Sequence, residues 1–545
     1  MKNLKQLVTP SPTTYCPHRY LQVSVRWPVA ERRWPLALRF VFALVLVLLV
    51  TPFALDAPAA GPAEVAEESW IKIQTEHFTL LGNATRKTTT QIGDRLEQLW
   101  QVMAATFADV TTRPPTWIYV FRNEAAIAPF KLGADGRPDT VAGYYLPTPL
   151  ANYLAIDASA EAGPFRTVYH EFIHYFVHNN LPYLPLWLNE GLAEYYSTIR
   201  LEGDQAVLGL PIDEYRRWLS QHDLLPLPEL FQVGRESPAY HAGVLRGTFY
   251  AESWALTHDL MSVPDKRRMQ HLIRELRAGT SSEDALVRAF ELELPALEHE
   301  LATRYASQRQ LPTQIWRFAE WEGRPAKIAA VAAGEIEFHL GNLLVHQVPI
   351  QFALAEQYLR AALAADSTRA EAYASLGQLH HAAGRYADSH ALYERALALA
   401  PNDPALRLGY GLALIEECFT AENGQPLSAE TTPPLLLQAR AELRPLLAQP
   451  LPSVEDELAF GRTFLLDRKA VEEGIAALTT VVAREPWRLD AVRDLIALTA
   501  HAGDLPGARS LLERSLRPRG SDELVHQAEL VIADEERRAM SSAGE

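Results

Sequence analysis

Tyr169-His170-Glu171-Phe172-Ile173-His174 places two histidines four residues apart, with a glutamate directly after the first. On a helix, positions four apart share one face. His170 and His174 can therefore offer two imidazole nitrogens to one metal. Glu171 then stands beside the metal, where a general base for a metal-activated water is needed. A catalytic zinc site typically has three protein ligands and an open fourth position. Trp187-Leu188-Asn189-Glu190-Gly191-Leu192-Ala193-Glu194-Tyr195 follows, and Glu190 is the natural third ligand. Glu194, one turn on, shares its face and is a candidate acceptor for a ligand histidine's remaining N–H. The longer motif H-E-x-x-H-x-x-G-x-x-H, which supplies a third histidine, would need glycine at 177 and histidine at 180, where Val177 and Asn180 stand. The bland alternative is an amphipathic helix that carries its histidines without a metal.

Several elements must position these residues. The turn formers of Asn179-Asn180-Leu181-Pro182-Tyr183-Leu184-Pro185 predict a helix, a turn and a returning helix from about Leu186. Ahead of them, residues 70–81 and 115–121 alternate as strands do, with a helical pattern at about 88–107 between them. Residues 141–145 and 152–156 read as two more strands. Beyond Leu201 the pattern is mostly helical, clearest at 215–219 and 251–261.

The two motifs together resemble the gluzincin branch of zinc metallopeptidases. In particular they are similar to bacterial peptidase-MA-like domains, which are often joined to tetratricopeptide repeats. The resemblance covers roughly residues 70–310 and is specific around 165–196. It implies His170, His174 and Glu190 as ligands of Zn²⁺, Glu171 as catalytic base, and a small sheet above a helical lobe. It also implies a tyrosine or histidine that steadies the developing oxyanion. Tyr250 is the candidate, with His258 behind it; the plain alternative is packing at the head of a helix. The last strand before the metal helix should be an edge that aligns an extended peptide. That role falls to Asn152, Tyr153, Leu154, Ala155 and Ile156, which could equally form an ordinary half-buried strand.

The chain of 545 residues is too long for a single core. Its formal net charge is −16. Residues 1–57 hold seven Lys/Arg against Glu31 and Asp56, which leaves −21 for the remainder. So acidic a body argues against nucleic-acid binding. Cys16 and Cys418 are the two cysteines, so no disulfide framework is available, and Cys418 reads as a buried apolar residue. Basic residues to Arg39, an apolar run at 40–50 and small residues after Pro52 predict a signal peptide or an N-terminal membrane anchor over 1–57. Residues 58–69 read as a linker.

Past residue 314 the chain turns alanine- and leucine-rich. Tyr373, Leu376-Gly377, Gly384, Tyr386, Tyr393, Ala396 and Pro401 fall at the spacings of a 34-residue tetratricopeptide-like unit. Looser copies lie around 340–362, 455–486 and 489–521, with an inserted polar loop at 420–432 and a charged tail at 534–545. The expected architecture is an α+β zincin-like peptidase domain at 70–310, followed by an all-α TPR-like solenoid at 315–533. The expected function is an exported zinc peptidase, periplasmic or extracellular, acting on a peptide or protein substrate. Its repeats either bind a protein partner or simply pack on the peptidase domain. Two rivals stand beside it: an inactive peptidase-like scaffold built on the repeats, and a zinc hydrolase of a non-peptide bond.

Overall fold

A computed structural model of the chain describes residues 68–543 apart from 108–113, 132–141, 160–163, 183, 235–236, 242, 308–309, 319–325, 421–432, 468–469 and 518–521. The N-terminal segment expected as signal or anchor, most of the 58–69 linker and the polar loop at 421–432 lie outside the described residues. Among the described residues, no helix is long and apolar enough to cross a membrane.

The first part of the chain is built on a mixed six-stranded sheet. Its strands are β1 (Ile71–Gln74), β2 (Thr79–Gly82), β3 (Thr116–Phe121), β4 (Gly143–Pro147), β5 (Asn152–Asp157) and a late strand, β9 (Lys327–Ala329). Their spatial order is β4-β5-β3-β2-β1-β9. β2, β3 and β5 run parallel, whereas β4 folds back antiparallel on β5 with Tyr145 opposite Leu154.

Strand alternation divides the side chains between two cores. Ile118, Val120, Leu154 and Ile156 face α1 (Arg86–Thr106) and α3 (Pro164–Asn180). Tyr119, Phe121, Tyr153 and Ala155 face the opposite way. The short α2 (Glu124–Ile127) follows β3. β5 is buried along its whole length between β3 and β4. It is therefore not the edge strand expected of 152–156. The hairpin carries the preceding strand outward, so β4 is the edge, and Pro147 at its end suits that position.

A helical lobe follows α4 (Leu186–Ser197). β6 (Arg200–Glu202) and β7 (Gln205–Leu208) pair with β8 (Gln314–Arg317) in a second, three-stranded sheet. Between them lie α5 (Asp213–Leu219), α6 (Leu227–Gln232), α7 (Pro238–His241), α8 (Gly243–Ser262), α9 (Lys266–Arg277), α10 (Ser282–Phe290) and α11 (Leu294–Ser307). α4 packs against α8 so closely that a Cβ on Gly191 would lie 2.0 Å from Thr257 Oγ1 and 2.4 Å from Ser253 O.

The remainder stacks as helix pairs: α12 (Glu335–Val345) with α13 (Phe352–Ala365), α14 (Ala370–Ala382) with α15 (Tyr386–Leu399), and α16 (Pro404–Thr420) with α17 (Pro434–Leu447). α18 (Val454–Arg462) with α19 (Glu472–Arg484) and α20 (Leu489–His501) with α21 (Leu505–Leu511) continue the series, closed by α22 (Asp522–Ala543). Cys418 is a free, buried thiol in α16. The solenoid does not start as a separate body at 315. β8 and β9 complete the two sheets, and Ile336, Leu340, Leu376 and Leu379 of α12 and α14 cover the outer face of the larger one. Polar contacts cross the junction: Asn342 donates to the Tyr153 hydroxyl at 2.7 Å, and Ser375 donates to Asn342 Oδ1 at 2.8 Å.

Candidate metal centre

α3 is amphipathic. Phe172, Ile173, Phe176 and Val177 enter the main core, while His170, Glu171 and His174 take the other face. Pro182 and Pro185 turn the chain, and α4 returns against α3. His170 and His174 Nε2 lie 3.0 Å apart. Glu190 Oε2 is 3.7 Å from the first and 3.6 Å from the second. A triangle with these sides has a circumradius of about 2.0 Å, close to the Zn–N and Zn–O bond lengths of about 2.0–2.2 Å. Among the described residues, this is the one group of three ligand-type side chains so gathered.

The outer contacts orient the inner atoms. His174 Nδ1 is 2.9 Å from Asn189 Oδ1, an acceptor, so Nδ1 carries the proton and Nε2 presents a lone pair inward. His170 Nδ1 lies 3.5 Å from Glu194 Oε1. Glu194 also accepts from the Tyr215 hydroxyl at 2.8 Å and has Arg166 at 3.5 Å. Burial pushes the His170 pKa down to about 3, His174 adds to the effect, and Glu190 opposes it. The imidazole is thus held neutral, as a ligand must be. Glu190 Oε1 accepts from Tyr240 at 3.0 Å, whereas Oε2 is buried with no hydrogen-bond partner. An ionised oxygen in that position is costly unless a cation meets it. Inward lone pairs and an orphaned carboxylate oxygen are a donor set that fits zinc.

Glu171 is beside this group. Its Oε2 accepts from the Tyr145 N–H of β4 at 3.1 Å. Burial raises its pKa to about 7, against an opposing effect of His174. A carboxyl that titrates near neutrality suits a general base.

Tyr250 stands near enough to Glu190 for that carboxylate, after burial, to help raise its pKa, but the hydroxyl that bonds Glu190 is that of Tyr240. Tyr250 stacks on Tyr240, with ring centroids 6.1 Å apart, and has Arg246 over its face. Tyr240 of the short helix α7 is the tyrosine that reaches Glu190. Sequence reasoning missed it because a four-residue helix in a proline-broken stretch carries no periodic signal. Asn189 was also missed, although it stands inside the second motif. His258 is not part of the site: it is buried, with Nε2 at 3.0 Å from Gly209 O and Nδ1 at 2.8 Å from the Tyr305 hydroxyl.

In the solenoid, α14 and α15 show the close helix pairing that the 34-residue spacing demands. A Cβ on Gly377 would lie 2.8 Å from the Tyr393 ring. Residues 370–413 match the family model described as Tetratricopeptide repeat. This stretch carries a tetratricopeptide repeat. No curated protein matches the chain in sequence. Among solved structures, the chain is similar to YrrB, a TPR protein described as having an unusual peptide-binding site. Identity there is 18%, over 35% of this chain and 90% of that one, with a TM-score of 0.29. It is also similar to the TPR domain of P58(IPK), at 12% identity over 69% of this chain and 95% of that one, with a TM-score of 0.19.

Proposed function

We propose that the chain is a zinc-dependent peptidase of the gluzincin type, with His170, His174 and Glu190 as metal ligands and Glu171 as general base. The observation that carries this reading is the convergence of two inward Nε2 atoms and the unpartnered Glu190 Oε2 on one point about 2.0 Å from each. Bound zinc supplies a Lewis acid that polarises a carbonyl and lowers the pKa of water. Glu171 takes the proton of the attacking water and returns it to the leaving amine. The edge strand β4 lies beside Glu171 and offers backbone groups along which an extended peptide can align. Tyr240 fixes Glu190 through Oε1 and leaves Oε2 for the metal. The signal-like N-terminus fits action outside the cytoplasm, with or without a retained anchor.

Zinc content and peptide cleavage test the reading together. Wild type should hold one zinc per chain, and His174→Ala should lose it. Glu171→Gln should keep zinc yet fail to cut any member of a mixed peptide pool that wild type cuts. A folded chain that holds no zinc when metal is supplied would sink the peptidase reading.

The comparisons favour a second reading over this one. The family match is confined to 370–413, so they support a protein-binding repeat scaffold and are silent on catalysis. Zinc retention without cleavage of any peptide would leave the scaffold as the function. Turnover of non-peptide esters or amides alone would mark a hydrolase of another bond.

A further inference from the structure

Three contacts wrap the solenoid around the end of the sheet at which β4 turns into β5. α12 and α14 cover the outer face of the sheet, as described above. At the end of β4, the turn seats Leu150 against the middle of the solenoid. Its Cδ1 is 3.5 Å from where a Cβ on Gly409 would stand, beside the Tyr393 ring. Farther along, Arg277 at the end of α9 lies over the Trp487 ring, 4.0 Å from its centroid, and Glu485 adds an attractive charge. One apolar core includes residues from Tyr393 to Leu498, so the described helices between these contacts pack on one another. The solenoid therefore passes from the sheet, around the β4–β5 turn, to the helical lobe.

The β4–β5 turn, where the solenoid is seated, is a short stretch of chain from Glu171. β4 continues only from Tyr145, whose N–H meets Glu171, to Pro147, about 7 Å at strand rise. Along α3, Asn179 is about 12 Å of helix beyond Glu171 and donates to the Tyr145 hydroxyl at 3.3 Å. We propose that the solenoid closes this end of the cleft, so that the substrate is an unfolded peptide with a free terminus, entering with at most about two or three residues beyond the scissile bond on that side. The substrate claim rests on the peptidase reading above. On the helical lobe the closure includes the cation–π contact of Arg277 with Trp487, with the Glu485 charge beside it. Such a contact shifts an open–closed equilibrium by only about 2- to 30-fold, so its loss should populate an open form.

Two measurements on the full chain test this. Spin labels at Arg274→Cys and Thr479→Cys, both exposed positions, in a Cys16→Ser, Cys418→Ser background report the distance between α9 and α19. One narrow distribution is expected, with a longer second population in Trp487→Ala and a return towards the narrow one in Trp487→Phe. A broad distribution in the parent, or no change in Trp487→Ala, overturns the closure. A ladder of peptides extended residue by residue on either side of one cleaved bond tests the substrate. The expected kcat/KM drops at least tenfold past about three residues on one side only, and Trp487→Ala relaxes that limit. Equal cleavage with both sides long overturns the proposal. No cleavage of any peptide overturns the substrate claim along with the peptidase reading, while the spin-label distances separately keep or remove the closure.

Discussion

At the residue scale, the site depends on which atoms have partners. Glu190 divides its two oxygens, one for the Tyr240 hydroxyl and one with no hydrogen-bond partner, and this division is what the proposed ligand role requires. Tyr240→Phe should keep the fold but weaken zinc retention by about 10- to 100-fold, the usual effect of losing a contact that orients a ligand. Competition with a chelator reads this directly, and an unchanged affinity would remove Tyr240 from the site. Tyr250→Phe should have a smaller effect on retention, because Tyr240 and not Tyr250 donates the hydrogen bond to Glu190. Glu171→Gln should leave zinc in place and lower turnover by about 10²- to 10⁴-fold. Full activity with zinc bound would show that another group accepts the proton.

At the element scale, the packing of α4 on α8 decides where Glu190 sits. α4 must approach α8 with no side chain between their backbones at Gly191. Gly191→Ala forces the helices apart and should cost about 1–3 kcal/mol, read as a lower urea midpoint with unchanged m-value. The junction of α12 with the sheet adds a pH dependence. Burial lowers the pKa of His339 to about 3 and of His346 to about 4, with Lys72 and Arg369 also acting on His339. Unfolded imidazoles take up protons near pH 6.5 while these two stay neutral in the fold. The unfolded chain therefore binds more protons below that pH. Stability should fall as pH drops from about 6.5 towards 4, by up to about 1.4 kcal/mol per pH unit for each histidine. Comparing urea midpoints at pH 7 and pH 5 checks this, and His339→Gln should show a smaller fall than wild type.

At the scale of the whole molecule, the two halves are one construction. A chain cut after residue 310 loses β8, β9 and the α12–α14 cover over Tyr119, Phe121 and Tyr153. We expect it to lack a cooperative thermal transition by circular dichroism. A sharp transition near that of the full chain would show that the sheet is stable without its cover. The boundary expected at 310–315 follows a true change in composition. Composition does not record, however, that a three-residue strand at 327–329 returns to pair with β1.

The sequence by itself determined the local features. Helical spacing puts His170 and His174 on one face, prolines turn α3 into α4, and the tetratricopeptide pattern brings Gly377 under Tyr393. Each depends on residues close in the chain, whose geometry follows from helix period and turn chemistry. Only the tertiary structure decided that β4 rather than β5 is the edge, because both are short apolar strands and hairpin direction is not written in their alternation. The same holds for Tyr240 on Glu190, 50 residues apart, and for Arg277 on Trp487. Such long-range contacts depend on how whole elements pack, and no local periodicity marks them.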